Sequence, residues 1–147
     1  MPDAPRTDTF AEIAASFRMV DPPTRLELLL DYADRLPPLP EVYHPLRDAG
    51  LNLVHECQSP VFVMVEVRDG CVVLHADVPA EAPTARGFTS VLVEAFDGAA
   101  PADVLEAPPD PLGALGLTPL LGMQRTRGLT AIYYRIRNDV ARQLEGR

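Results

Sequence analysis

The sequence lacks several residue types on which common activities depend. Its 147 residues include no lysine and no tryptophan, and only two cysteines and three histidines. Without lysine, the chain cannot form a lysine Schiff base. Two cysteines are too few for a four-cysteine zinc or iron–sulfur site within one chain. Because the histidines and cysteines together match no zinc-ligand spacing either, we expect no metal site.

Positive charge and long apolar runs are also scarce. The chain has 13 basic residues, all of them arginine, and 21 acidic residues, which gives a net charge of −8. This balance argues against a general nucleic-acid binder, because phosphate contacts need clustered basic residues. The longest apolar run, residues 61–65, is far shorter than the roughly 20 residues of a membrane-spanning helix, and residues 1–8 lack the apolar core of a secretion signal. We expect a cytoplasmic protein with reduced cysteines that binds neither nucleic acid nor membrane.

Apolar residues recur at helical spacing in both halves of the chain. Sixteen prolines are spread between these periodic segments, where they suit helix starts and stiff connections. The predicted helices lie at about residues 9–17, 21–36, 88–96, 101–105, 111–115 and 129–140.

The middle of the chain changes to strand periodicity. Apolar and other residues alternate over 61–68 and again over 71–76, and Asp69-Gly70 between them is a strong hairpin signal. A shorter strand is predicted at 51–55. The sequence thus predicts an α+β fold, with helices at both ends flanking a small antiparallel sheet of about three strands. We expect a flexible N-terminus over residues 1–8, followed by one domain.

Cys57 is the residue best placed for chemistry, because its segment lies between two strand-like runs and is predicted to be a loop. The thiolate is the reactive form of cysteine, and it needs a nearby cation or a helix N-terminus to form at neutral pH. Glu56 next to it opposes ionisation. A buried cysteine that only fills space stays an alternative at this point. Candidates to counter the effect of Glu56 are His55, Arg125 and Arg127.

Two other arrangements of these groups stay open. Cys71 follows the predicted turn and is expected to be an ordinary strand residue, although it could meet Cys57 across the sheet as a resolving thiol. A hydrolase triad of Cys57 with His75 and Asp77 is conceivable on residue types. No oxyanion-hole motif accompanies it.

Residues 54–62, with Cys57-Gln58-Ser59 at their centre, resemble the cysteine loop of the SufE-like family, the sulfur acceptors of iron–sulfur cluster assembly. Glu56 stands where that family has glycine. A positive φ at this position would cost roughly 1 kcal/mol or more, so we expect a loop of different shape or greater stiffness. Further segments resemble the family in the same order, and the resemblance covers roughly residues 9–140. These segments are Leu36–Pro40, Asp77, Arg86-Gly87-Phe88, Leu115-Gly116-Leu117 and Arg125–Leu129.

The resemblance implies a small curved sheet flanked by helices and a specific activity. It implies that Cys57 accepts sulfur from the persulfide of a pyridoxal-phosphate cysteine desulfurase of the SufS type, stimulates that enzyme, and delivers the sulfur to a cluster scaffold. Pyridoxal phosphate (PLP) would belong to the partner, so we expect no cofactor here, and an acceptor rather than a stand-alone enzyme. Gln58 and Ser59 are predicted to support the loop. Arg125 and Arg86 are candidates for thiolate stabilisation or partner contact.

Three other functions remain as alternatives. The first is a binding module that regulates a desulfurase without transferring sulfur, with Cys57 inert. The second is a cluster scaffold, for which two cysteines supply too few ligands unless histidine or a second subunit contributes. The third is the cysteine hydrolase.

Overall fold

The computed structural model describes residues 9–146, in which helices surround a single β-hairpin. The prediction of a flexible N-terminus over residues 1–8 falls outside the described residues. The elements in chain order are α1 (Thr9–Arg18), α2 (Pro22–Ala33), α3 (His44–Asp48), β1 (Phe62–Arg68), β2 (Cys71–Asp77), α4 (Pro83–Phe96), α5 (Pro101–Leu105), α6 (Pro111–Ala114) and α7 (Met123–Glu145), with 3-10 turns at Glu41–Tyr43 and Thr118–Leu120.

Prolines begin four of these helices, and three of the four, α2, α5 and α6, begin where the sequence predicts. Helices α4 and α7 begin about five and six residues earlier than predicted, and α3 lies where no helix is predicted. The first residue of α2, α4, α5 and α6 is a proline in each case. Proline suits this position because its ring fixes a helical φ and the missing N–H has no partner within the first turn. Part of the high proline content therefore lies at helix starts, and much of the rest lies in connections.

The hairpin forms where the strand pattern predicts it. β1 and β2 pair antiparallel, with Phe62 opposite Asp77 and Arg68 opposite Cys71. The turn residues Asp69 and Gly70 have φ of 54° and 78°, the left-handed conformation that a two-residue hairpin turn requires. Alternate strand residues are buried against α4 and α7, which supplies the hydrophobic cover that an isolated hairpin lacks.

The fold class is α+β as predicted, but the sheet has two strands and not three. Leu53 forms only an isolated bridge to Phe62. Asn52 has a positive φ of 59°, so the chain turns before it can extend along β1. Two amide side chains occupy the edge of β1 instead: Asn52 Nδ2 donates to the carbonyl of Val63, and Gln143 Nε2 of α7 donates to that of Val65.

Helices α2 and α4 pack unusually closely, and the residues that allow it belong to the Arg86-Gly87-Phe88 segment. A Cβ added to Gly87 would lie 2.2 Å from the carbonyl oxygen of Leu29. The neighbouring Arg86 donates from Nε to the carbonyl of Ala33 at 2.8 Å and from Nη1 to that of Val78 at 2.6 Å. Arg86 thus ties the end of α2 to the segment that follows β2.

The Leu115-Gly116-Leu117 segment has a comparable packing role. Gly116 has a φ of 71°, and its carbonyl accepts a hydrogen bond from Arg25 Nη1 at 3.1 Å. Nε of the same arginine donates to the carbonyls of Phe17 and Val20. Arg25 therefore joins α1 and α2 to the chain that leads into α7. Between residues 9 and 146, no helix is both long and apolar enough to span a bilayer.

Candidate functional site

Cys57 lies in a loop whose base is fixed to the rest of the protein. The bridge between Leu53 and Phe62 closes the loop, and the Val54 N–H donates to the carbonyl of Val61 at 2.9 Å. Val54 and Val61 are both buried in the core. Arg135 of α7 also donates from Nη1 to the carbonyl of Leu53 at 3.1 Å. These contacts anchor both ends of the loop, while its tip, residues 55–60, reaches the surface.

The tip is attached to α7 through the cysteine itself. The half-buried thiol of Cys57 donates to the carbonyl oxygen of Gly128 at 3.3 Å, and its backbone N–H donates to that of Val54 at 3.3 Å. Gly128 has no side chain, and a Cβ added there would lie 3.6 Å from Sγ, at ordinary van der Waals distance. The S–H group is a weak donor, and Cys57 also packs against the hydrophobic core.

The surroundings of Cys57 favour the neutral thiol. The pKa of Cys57 is raised to about 11, mainly by burial of the thiol and to a smaller extent by the nearby carboxylate of Glu56. Removing the thiol from water penalises the thiolate, and a neighbouring negative charge adds to that penalty. In this position Cys57 is almost entirely protonated at neutral pH and is a weak nucleophile.

A pocket of about 440 Å³ opens beside Cys57 where three segments meet. These are the loop tip, the start of α4 and the start of α7. The first N–H groups of a helix have no partner within the helix and carry partial positive charge. Neither Ala82 before α4 nor Gly122 before α7 supplies a side-chain cap. The lining residues are Glu56, Cys57, Gln58, Ser59, Glu81, Ala82, Pro83, Thr84, Ala85, Gln124, Arg125, Gly128 and Leu129.

The structure brings four of the five predicted site residues together. Cys57, Gln58, Ser59 and Arg125 all line this pocket, and Arg125 is the one cation among its described lining residues. Arg86 does not line it and bonds the two carbonyls named above. Among the hydrogen bonds described within residues 9–146, none involves the side chain of Gln58 or Ser59. Their role in loop support stays a prediction.

Glu56 stands where the family has glycine, but its backbone does not adopt the positive φ that would strain a residue with a side chain. Among the non-glycine residues of the described chain, positive φ occurs at Asn52 and Asp69. The loop thus accommodates a side chain at position 56 without the cost of a left-handed conformation. The effect of Glu56 is electrostatic, through its carboxylate near the thiol, which raises the pKa of Cys57.

The second cysteine lies at the other end of the hairpin. Cys71 is exposed and pairs with Arg68, whereas the Cys57 loop joins β1 at Phe62. The two ends of β1 are about 20 Å apart at roughly 3.3 Å per residue. A disulfide needs Cα atoms within about 7 Å. Cys71 is therefore not placed to act as a resolving thiol within the same folded chain.

The alternative catalytic groups are also apart from the pocket. The ring of His75 stacks at a tilt on Tyr43, with centroids 5.1 Å apart, and Asp77 is paired with Arg47 at 3.0 Å. Neither lines the pocket beside Cys57, so the structure does not assemble the hydrolase triad. In the part of the chain that the structure describes, no three His, Cys, Asp or Glu side chains cluster as metal ligands would.

Sequence reasoning missed Gly128 as a contact of the thiol. The residue belongs to the Arg125–Leu129 segment, which the resemblance singled out, but nothing in the sequence places it under Cys57. It is 71 positions away along the chain. The sequence also did not predict that the start of α4 lines the pocket beside Cys57. Both contacts arise because distant helices pack against the loop.

The fold and the site together define a small α+β protein that presents one half-buried thiol on an anchored loop. Residues 11–140 match the family model SufE, described as the Fe–S metabolism associated domain. The chain therefore belongs to the SufE-like family, as the sequence motifs predict. This membership associates it with Fe–S metabolism.

Relatives and a solved structure agree with this assignment. An uncharacterized SufE-like protein of Mycobacterium tuberculosis is 41% identical over 128 residues, covering 86% of this chain and 87% of the relative. One of Synechocystis is 30% identical over 134 residues, covering 90% and 80%. The solution structure of a hypothetical protein from Thermus thermophilus superposes with a TM-score of 0.78 at 35% identity, covering 93% of this chain and 96% of that one.

Proposed function

We propose that this protein accepts a sulfur atom on Cys57 from the persulfide of a cysteine desulfurase, stimulates that enzyme, and delivers the sulfur for iron–sulfur cluster assembly. The observation that carries the proposal is the placement of the thiol. Cys57 lies at the tip of a loop with an anchored base, beside an open pocket, and a weak hydrogen bond to Gly128 attaches the tip. This arrangement allows a thiol to be sheltered in the free protein and presented to a partner.

The transfer is a thiol–disulfide exchange. The Cys57 thiol first gives its proton to solvent. Its thiolate attacks the outer sulfur of the partner's persulfide, so that a bond forms between Sγ and that sulfur. The sulfur–sulfur bond within the partner breaks, and the partner's cysteine leaves as a thiolate with the bonding electron pair. No external oxidant or reductant is needed, because one sulfur–sulfur bond replaces another.

The raised pKa of Cys57 suits a carrier that must stay unreactive between encounters. In the sheltered position the thiol is protonated and reacts slowly with oxidants and stray electrophiles. Movement of the tip into a wetter or more positive environment removes the main cause of the raised pKa, which is burial. Docking on a partner would thus activate the nucleophile where it is needed.

The rim of the pocket supports docking of a protein partner beside the thiol. Arg125 lies on the rim, and the side chain of Met123, the first residue of α7, is 83% exposed nearby in sequence. Exposed methionines adapt readily to partner surfaces. The partner we propose is a PLP-dependent desulfurase of the SufS type that holds the cofactor itself, and the downstream acceptor is a cluster scaffold in the cytoplasm.

The test uses the purified protein with a cysteine desulfurase and L-cysteine. Cys57 should gain the mass of one sulfur atom in a digest, and sulfide release should increase. Cys57→Ser should abolish both effects, whereas Cys71→Ser, the matched control at the far end of the hairpin, should retain them. If Cys57→Ser stimulates sulfide release as well as the wild type does, the transfer role is wrong.

One observation favours a second candidate, a desulfurase-binding module that carries no sulfur. The high pKa of Cys57 and its hydrogen bond to Gly128 are also what an inert thiol would show. The same experiment separates the two functions. Full stimulation by Cys57→Ala, with no sulfur gained by the wild type, would support the module.

A further inference from the structure

We infer that loading Cys57 with sulfur detaches the tip of its loop from α7, because the carbonyl of Gly128 can hold the side chain only while Sγ carries a proton. This inference rests on the proposed function and concerns the state of the carrier after transfer. It makes Gly128 a positioning residue: its backbone oxygen keeps the empty carrier closed.

The geometry gives Gly128 this position. The Sγ atom of Cys57 lies 3.3 Å from the Gly128 oxygen. The other hydrogen bond at Cys57, from its N–H to the Val54 carbonyl, is local to the loop and does not reach the helix. The contacts that anchor the base, through Leu53 and Val61, lie outside residues 55–60. The tip can therefore detach while the base stays in place.

Persulfide chemistry removes the donor. In a loaded Cys57, Sγ is bonded to Cβ and to the outer sulfur and has no hydrogen to donate. The sulfur atom then faces the Gly128 oxygen at 3.3 Å without the hydrogen that joined them. The hydrogen bond of the empty state is therefore lost in the loaded state.

The available space directs the added sulfur away from the Gly128 carbonyl. The new bond is about 2.05 Å long, and the Gly128 carbonyl oxygen already lies only 3.3 Å from Sγ. The open side is the pocket. There the carboxylates of Glu56 and Glu81 repel an ionised outer sulfur, and Arg125 on the rim attracts it. The added sulfur is thus directed into the pocket and towards Arg125, and away from the Gly128 carbonyl that holds the thiol.

The consequence is a carrier whose exposure depends on its cargo. The empty protein keeps its thiol against α7, and the loaded protein presents its sulfur to an acceptor without needing that acceptor to open the loop. On delivery, an acceptor thiolate takes the outer sulfur and Cys57 leaves as a thiolate with the bonding electron pair. Solvent then returns a proton to Sγ, which allows the loop to close.

Hydrogen exchange on the isolated protein tests this inference without any desulfurase. In the Cys71→Ser background, inorganic polysulfide loads Cys57. The thiolate attacks an outer sulfur, an Sγ–S bond forms, and the shortened polysulfide leaves with the electron pair of the broken S–S bond. Amides of residues 55–59 should then exchange about two- to fivefold faster, the change expected on losing a weak S–H···O hydrogen bond. Peptides from α7 should not change beyond Gly128, which excludes general unfolding.

Two further forms separate the lost donor from added charge. A methylthio group on Cys57 replaces the proton with an uncharged substituent, and Cys57→Ala removes the sulfur altogether. Both should accelerate exchange at the tip, and reduction of the persulfide or methylthio form with dithiothreitol should restore slow exchange. A persulfide or methylthio protein whose tip exchanges as slowly as the thiol form would overturn the inference. Failure of a desulfurase to load Cys57 would instead contradict the proposed function.

Discussion

Gly87 brings α4 against the backbone of α2 at Leu29, with no room between them for a methyl group. A Cβ at position 87 would lie 2.2 Å from the Leu29 carbonyl oxygen, far inside van der Waals contact. Gly128 of α7 is also buried in a helix, but a Cβ there would lie 3.6 Å or more from its neighbours. The two glycines form a matched pair, one required by close helix packing and one at a position with room.

Alanine should therefore have opposite effects at these two positions. Gly87→Ala forces the helices apart and should lower the free energy of unfolding by about 1–3 kcal/mol. Gly128→Ala fits and should raise it by about 0.5–1 kcal/mol, because alanine favours the helix. Urea unfolding followed by circular dichroism measures both. Equal effects of the two substitutions would contradict the close approach at Leu29.

Thr89 in α4 buries a hydroxyl for which the described chain offers no hydrogen-bond partner. Thr89→Val replaces that hydroxyl with a methyl group of similar size and should stabilise the protein by about 1 kcal/mol. Thr89→Ser keeps the hydroxyl, loses the methyl group and should destabilise it. Thermal unfolding of the three proteins gives the order. A less stable valine variant would show that the hydroxyl has a partner after all.

The two thiols should differ greatly in reactivity. At about pH 8 exposed Cys71 should react with iodoacetamide well before Cys57, whose pKa is raised to about 11 by burial and by Glu56. In a Cys71→Ser background, alkylation of Cys57 should keep accelerating as the pH rises towards 11, because the thiolate fraction is still growing there. A rate that levels off near pH 9 would contradict the sheltered position of the thiol.

Removing the negative charge beside the thiol should lower the pKa of Cys57. Glu56→Gln should speed alkylation of Cys57 at about pH 8, since a carboxylate next to the thiol disfavours the thiolate. Glu12→Gln on α1 is a control that should change nothing. The burial contribution stays in the variant, so the pKa of Cys57 should remain above its ordinary value.

Arg125 should affect sulfur uptake more than stability. Its side chain is exposed on the rim of the Cys57 pocket, so Arg125→Gln should slow loading by a desulfurase and change the free energy of unfolding by less than about 0.5 kcal/mol. Arg127→Gln is the matched control, because Arg127 is exposed on the same helix but does not line this pocket. Equal loading rates of the two variants would remove Arg125 from the site.

Arg86 should show the reverse behaviour. Its guanidinium bonds the carbonyls of Ala33 and Val78, so Arg86→Met leaves two acceptors without a charged donor and should cost about 2 kcal/mol or more of stability. Loading of Cys57 at a temperature where the variant is folded should be close to that of the wild type. Slow loading by a fully folded variant would favour the predicted role in thiolate stabilisation or partner contact.

The sequence predicts well those features that local chemistry determines. The Asp69-Gly70 turn needs positive φ at both positions, and within a helix proline suits the first turn, so the hairpin and the starts of α2, α5 and α6 follow from the residues themselves. The prediction of a third strand was wrong because Asn52 turns the chain and the Gln143 amide, far away in sequence, bonds the edge of β1. A local sequence pattern cannot predict a hydrogen bond between residues so far apart along the chain.

The placement of Cys57 in a loop was predictable from the sequence, and the surroundings of its thiol were not. Cys57 followed from its position between strand-like runs and from the resemblance of its segment. Its contact with Gly128 and the pocket at the start of α4 arise from packing between distant elements. Arg86 shows the converse: the motif marked it, but its guanidinium bonds two carbonyls away from the Cys57 pocket.

The amide groups along β1 have a further consequence for association between copies of this chain. Asn52 and Gln143 use hydrogen-bonding groups of Val63, Val65 and Val67 that would otherwise invite another strand. Unpaired strand edges are common starting points for aggregation. Because side chains of the same chain already bond this edge, β1 is protected from pairing with a strand of another molecule.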